Sequence, residues 1–129
     1  MIQSNELRIG NWVEWVFPNR NNQPNKFQFC EIESIRTSLV GVLGSAYGYD
    51  QIQPIPLTPE ILEKCGFEKT NRIDFGEPNP CYTNFSLSLM IRHNSYFIDW
   101  MGGNIEVKYL HQLQNIYFSL TGEELDVKL

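Results

Sequence analysis

Residues 109–125, YLHQLQNIYFSLTGEEL, decide the fold. Tyr109, Leu113, Ile116, Tyr117 and Leu120 recur three and four apart, with Leu110 at the edge of the stripe. That spacing places them on one side of a 3.6-residue helix. Thr121-Gly122 then stops it, because glycine enters the left-handed conformation without a Cβ clash. No charge occurs between Lys108 and Glu123. The other side of the helix carries His111, Gln112, Gln114, Asn115 and Phe118, which can enter a contact without the desolvation cost of a full charge. A helix face in water usually carries Lys and Glu, so this one is expected to be covered, by its own protein or by a partner. His111, Gln114, Asn115 and Phe118 are three, four or seven apart and form a candidate partner-binding stripe. Amides beside an aromatic can recognise peptide backbone or base edges.

Working back from the helix, the chain alternates. Cys81, Thr83, Phe85, Leu87, Leu89 and Ile91 point one way, and Tyr82, Asn84, Ser86, Ser88 and Met90 the other. Period two over 81–91 predicts a half-buried strand. Arg92-His93-Asn94 turns it. Tyr96, Ile98 and Trp100 give the next strand its buried side, with Phe97 and Asp99 facing away. A turn at 101–104 leads to a third strand through Ile105, Val107 and Tyr109. A sheet with one apolar face needs a cover, and the final helix is expected to supply it. Residues 70–80 read as irregular, with Pro78 and Pro80 as breakers. Further back, Thr58 can cap a short helix with Pro59 first and Glu60 near its positive end. Ile61, Leu62 and Cys65 form its apolar side, Gly66 ends it and Phe67 fastens it.

The N-terminal half is strand-like and aromatic. Residues 7–16 read as a strand broken by Gly10-Asn11, and residues 27–36 as a second whose parity switches between Ile32 and Ile35. Residues 39–43 form a short third strand, Gly44-Ser45-Ala46 turns the chain, and 47–51 form a fourth. The stretch 18–26, PNRNNQPNK, reads as a polar loop. Short, bent strands joined by a polar hairpin suggest an SH3-like small β-barrel. Trp12, Trp15, Tyr47 and Tyr49 are its candidate partner-binding aromatics, with Phe17, Phe27 and Phe29 divided between core and surface. The Pro-rich connector near residue 57 divides the chain into 1–57, the barrel lobe, and 58–129, the helix, meander and C-terminal helix. The two can also form one compact unit.

Composition narrows the function. With 42% hydrophobic and 19% charged residues, the 129-residue chain is globular rather than disordered. The net charge is −5, with four basic and five acidic side chains in 1–57 and six and ten in 58–129. Neither half is a basic patch, which disfavours nucleic acid. Cys30, Cys65 and Cys81 are odd in number and lack zinc spacing, and read as reduced thiols of a cytoplasmic protein. No phosphate loop, nucleophile elbow or metal motif occurs. His111 has Asn115, not a second ligand, four residues on, and His93 falls in a turn. No catalytic, cofactor or metal site is therefore assigned. The start, MIQSNELRIG, does not read as a signal peptide, and no stretch approaches membrane-spanning length.

Four blocks carry a resemblance: ELRIGN at 6–11, IQPIPLTPEIL at 52–62, Gly66-Phe67-Glu68-Lys69, and YLHQLQNIYFSLTGEEL at 109–125. In these the chain resembles a family of small uncharacterised proteins of Bacteroidetes genomes, often beside prophage or other mobile elements. The resemblance implies a bacterial or phage cytoplasmic origin and transfers no site. The expected function is a non-enzymatic binding or adaptor protein with a protein partner or a second copy of itself. Two alternatives stand beside it. One is a nucleic-acid-associated protein using Arg8, Arg20, Lys26 and Arg36 of the barrel half, and the other is a small enzyme with dispersed residues around His111.

Overall fold

The computed structural model describes residues 1–17, 25–74, 77–100 and 103–129, with backbone alone at 72–74, 77–78 and 100. The protein is α+β, with antiparallel sheets and two α-helices among the described residues, and the chain forms two compact units. The first holds 1–56 and 109–115, and the second holds 57–108 and 116–129.

In the first unit, β1 (Trp12–Phe17) pairs with β2 (Lys26–Glu31) in an antiparallel hairpin running from Phe17↔Lys26 to Trp12↔Glu31. The loop expected at 18–26 lies mostly outside the described residues. A second three-stranded sheet runs β3 (Ser34–Ile35), β4 (Leu39–Val42) and β5 (Ser45–Gly48). The strand β6 (Ile52–Gln53) returns to the free side of β1, giving the order β2-β1-β6. Val13, Cys30, Ile32, Val40, Val42, Tyr49 and Ile52 from both sheets share one core with Ile2 and Leu7. Of the expected SH3-like small β-barrel, the short antiparallel strands are present, but the described strands of this unit lie in two three-stranded sheets that do not close into one barrel.

Three strand expectations shift. Residues 7–10 are not strand: a 3-10 turn, Ser4–Glu6, leads into a tight turn in which the Asn11 amide donates to the Arg8 carbonyl at 3.1 Å. Gly10 sits there at φ +93°, the left-handed position a type II turn requires. The parity switch after Ile32 is a real break. Ile32 leaves β2 and exchanges 2.8 Å hydrogen bonds with the Gly10 amide and the Asn11 carbonyl. The fourth strand comes early, at β5, because Leu43 and Gly44 both take positive φ and close a two-residue loop. Residues 49–51 form a 3-10 turn.

In the second unit, α1 (Pro59–Lys64) forms as read. The Thr58 hydroxyl accepts from the Ile61 amide at 3.2 Å, and Ile61, Leu62 and Cys65 are buried. Its end is a complete Schellman motif. The Phe67 amide donates to the Leu62 carbonyl at 3.0 Å, the Gly66 amide donates to the Glu63 carbonyl at 3.0 Å, and Gly66 has φ +82°. Phe67 and Leu62 are both fully buried.

The meander has five strands, not three: β7 (Glu68–Asp74), β8 (Glu77–Thr83), β9 (Ser88–Arg92), β10 (Ser95–Trp100) and β11 (Gly103–Val107), in the order β11-β10-β9-β8-β7. The 81–91 alternation is a hairpin folded on itself. Asn84 Oδ1 accepts from the amides of Ser86 at 2.9 Å and Leu87 at 2.8 Å, an Asx turn that reverses the chain. Phe85 is therefore fully exposed at the tip, and Tyr82 and Met90 are buried together with Cys81 and Leu89. The expected irregular stretch at 70–80 is mostly strand. Pro78 and Pro80, two residues apart, lack their N–H on the same edge of β8. Pairing with β9 starts only at Cys81, so neither proline interrupts that ladder. His93 and Asn94 turn the chain at positive φ, as read. Of the turn expected at 101–104, residues 101–102 lie outside the described residues, whereas Gly103 and Asn104 already pair in β11, and Ile105 is exposed rather than inward.

The final helix, α2 (Leu110–Thr121), contributes its first six residues to the first unit and its last six to the second. The Gly122 amide donates to the Phe118 carbonyl at 2.8 Å with φ +75°, the stop expected of Thr121-Gly122. Replacing Gly66 by Ala places a Cβ in the left-handed region at the end of α1. It should cost about 1 kcal/mol in urea unfolding.

Candidate functional site

The polar side of α2 faces its own chain. Gln114 is 2% exposed. Its Oε1 accepts from the Trp12 amide at 2.8 Å and its Nε2 donates to the Gly10 carbonyl at 3.2 Å. Asn115 Oδ1 accepts from Asn11 Nδ2 at 2.9 Å and from the Arg8 guanidinium at 3.1 Å, while its Nδ2 donates to the Glu6 carbonyl at 2.9 Å. Asn11, 1% exposed, closes the network by accepting the Arg8 amide at 2.7 Å. These amides do recognise a peptide backbone, as their chemistry suggested, but the peptide is residues 6–12 of the same molecule. Both functional groups of each side chain are used there. Gln114 and Asn115 therefore hold the turn that launches β1, and as built they have little to offer a partner.

His111 is also buried, at 2% exposure. Its ring lies nearly parallel to that of Tyr109, with centroids 5.9 Å apart. It helps to line a cleft of about 240 Å³ with Ile2, Glu6, Pro54 and Gln112. Its Nδ1 has no hydrogen-bond partner. Burial lowers the imidazole pKa, and the Glu6 carboxylate opposes that shift. Phe118 is the most exposed member of the helix stripe, at 40%, and Asn115 is half-buried.

The aromatic residues singled out in the first unit are mostly structural. Tyr49 is buried and its hydroxyl donates to the Arg36 carbonyl at 2.6 Å. Trp15 packs edge-on against Phe17 and tilts against Tyr47, with 4.8 Å between the Trp15 and Tyr47 centroids. Trp15 and Tyr47 both lie against the core. Trp12 is half-buried.

A different surface emerges from the hairpin register. Cross-strand partners share a face. Val13, Trp15, Cys30 and Ile52 are on the core side, so Trp12, Glu14, Val16, Phe27, Phe29, Glu31 and Gln53 are on the outer side. There Phe27 is 53% exposed and Phe29 40%. Glu14 accepts from Gln53 Nε2 at 2.7 Å, and no ion pair neutralises Glu14 or Glu31 among the described residues. Sequence reasoning divided Phe27 and Phe29 between core and surface and assigned neither to the site. The signal that could have placed them is parity. They share it with Glu31, whereas Cys30 marks the inward side.

Among the described residues no group of three or more His, Cys, Asp or Glu side chains is placed to hold a metal ion. All three cysteines are buried, unpaired thiols. Burial pushes Cys30 up to about 11 and Cys65 up to about 12, so neither is a ready nucleophile near neutrality. No described helix is long and apolar enough to cross a membrane. No protein-family model, curated protein or solved structure is significantly similar to the chain.

Two outcomes follow from the network. Gln114→Leu leaves the Trp12 amide and Gly10 carbonyl unpaired, and should cost about 2 to 3 kcal/mol in chemical unfolding. For His111, the folded pKa lies below its ordinary value near 6.5, so between the two the unfolded chain binds a proton that the native state refuses. The stability this group contributes is therefore present above pH 6.5 and lost as pH falls below it. Urea unfolding at pH 7.5 and 5.5 should show a larger loss for the wild type than for His111→Phe.

Proposed function

We propose that this is a non-enzymatic binding protein whose recognition surface is the outer face of β1 and β2. The observation that carries the reading is the exposure of Phe27 and Phe29, side by side on a strand at the edge of its sheet. Isolated apolar side chains are ordinary on protein surfaces, but an aromatic row beside an open strand edge marks a contact surface. Val16 and Trp12, both half-buried, extend the row on β1.

A nucleic-acid partner is less well supported. Arg8 is engaged by Asn115, Arg20 lies outside the described residues, and Lys26 falls on the opposite parity from the aromatic row. The charges on the proposed face are Glu14 and Glu31, which repel phosphate. An enzyme centred on His111 is also less well supported. No carboxylate or hydroxyl orients its Nδ1, as a general base would need.

The first unit can be read as an open form of the SH3-like layout, since its short strands follow in that order around one core. The four resembling blocks support an origin in a bacterium, phage or mobile element. The buried, unbridged thiols are in keeping with a cytoplasmic setting.

Co-purification from a lysate of the source organism tests the reading. Wild type should retain a defined partner, and a folded Phe27→Ser/Phe29→Ser double variant should lose it. Identical profiles for the two proteins would reject this surface.

A further inference from the structure

We infer that the outer face of β1–β2 takes an extended segment of a partner protein, added as a strand alongside β2 and carrying Arg or Lys among its apolar side chains. This rests on the binding reading above and specifies its ligand.

The backbone argument comes first. β2 is terminal in the order β2-β1-β6, so among the described residues one edge of Lys26–Glu31 has no strand beside it. Soluble proteins usually guard such an edge with proline, a bulge or inward charge. Residues 26–31 contain no proline, the ladder to β1 runs without a bulge through all six pairs, and the one charge of inward parity, Lys26, stands at the first residue of the strand and leaves Phe27–Glu31 unguarded. An extended peptide can satisfy the outward N–H and C=O groups while its alternate side chains lie beside Phe27, Phe29 and Glu31.

Charge then selects the peptide. Among the described residues the outer face has two carboxylates and no Lys or Arg. Glu14 has only the neutral amide of Gln53, and Glu31 has no partner among the described residues. An uncharged strand beside β2 would gain nothing from these carboxylates, and an acidic one would add repulsion. A guanidinium can lie on the exposed ring of Phe29 and reach Glu14, which is opposite Phe29 on β1, while a second base meets Glu31. An apolar side chain fits beside Phe27 and Val16, which are themselves paired. A second copy of the chain fits less well. Antiparallel β2–β2 pairing must keep outer faces together, so in every register it sets Phe27, Phe29 and Glu31 against one another and leaves Glu14 and Glu31 without a base.

The test uses the whole chain and three acetylated, amidated peptides. TVTRTRTVT reads the same in both directions, so it can pair in either. TVTETETVT reverses its charge. TVTRPRTVT keeps the charge but cannot form a continuous strand. Titration followed by amide NMR should show the first peptide binding, with shifts and slowed exchange centred on β2. The other two should bind at least about tenfold more weakly. A Glu14→Gln/Glu31→Gln variant should lose about tenfold in affinity for the first peptide, whereas Glu63→Gln/Glu123→Gln should stay within about twofold. Equal binding of the proline peptide, equal binding of the acidic peptide, or shifts away from β2 would overturn the inference. So would light scattering that finds a dimer dissolved by Gln28→Pro. If co-purification depends on Phe27 and Phe29 while no peptide binds, the strand-and-charge inference falls and the binding reading stands. If co-purification is also unchanged, both fall.

Discussion

Two neighbouring amides, Gln114 and Asn115, hold the first unit together at its least regular point. Residues 6–12 run through a 3-10 turn, a type II turn and the start of β1, so they have few regular backbone partners. Burying such a segment leaves polar groups that must be satisfied. The two side chains, about a hundred residues distant in sequence, supply partners for the Glu6 and Gly10 carbonyls, the Trp12 amide and the Asn11 side chain. The same turn presents Gly10 and Asn11 to Ile32, where β2 gives way to the second sheet. The exposed face of the β1–β2 hairpin is thus carried on a strand whose first residue is fixed by α2.

This explains a puzzle in the helix. Its missing charges are consistent with either a partner surface or burial. A Lys or Glu at 114 or 115 could not replace an amide, because each position must both donate and accept. The requirement is invisible in the sequence, since nothing in the periodicity of 109–125 shows that 6–12 lies against its polar side. Hydrophobic spacing correctly assigned Leu113 and Tyr117 to the interior. It had no means of assigning His111 and Gln114, which are buried for reasons of hydrogen bonding and local packing.

Local signals were legible and long-range ones were not. Thr58-Pro59-Glu60 and Gly66-Phe67 specify the two ends of α1 through contacts within a few residues, and both ends form as read. The 81–91 alternation failed for an instructive reason. A hairpin and a single strand share period two on either side of a turn, and only the Asn84 side chain distinguishes them. By alternation alone Asn84 reads as an outward strand residue, whereas its oxygen collects two amides. Pro78 and Pro80 misled in the opposite sense. Prolines break a strand only when the ladder needs their N–H groups, and spacing by two places both on one edge of β8.

The same parity problem hides the exposed face of the β1–β2 hairpin in the sequence. Aromatic residues in a strand-rich segment can be core or contact, and counting them cannot separate the two. The separation comes from register: Val13, Trp15, Cys30 and Ile52 fill one side of the hairpin, which commits Phe27, Phe29 and Glu31 to the other. Trp15, Tyr47 and Tyr49 were the more conspicuous residues, yet core contacts or a backbone hydrogen bond occupy them. Phe27 and Phe29 have no such role in the core. They stand instead on an exposed face with Glu14 and Glu31, so what the register fixes is the chemistry of that face, two aromatic rings beside two carboxylates.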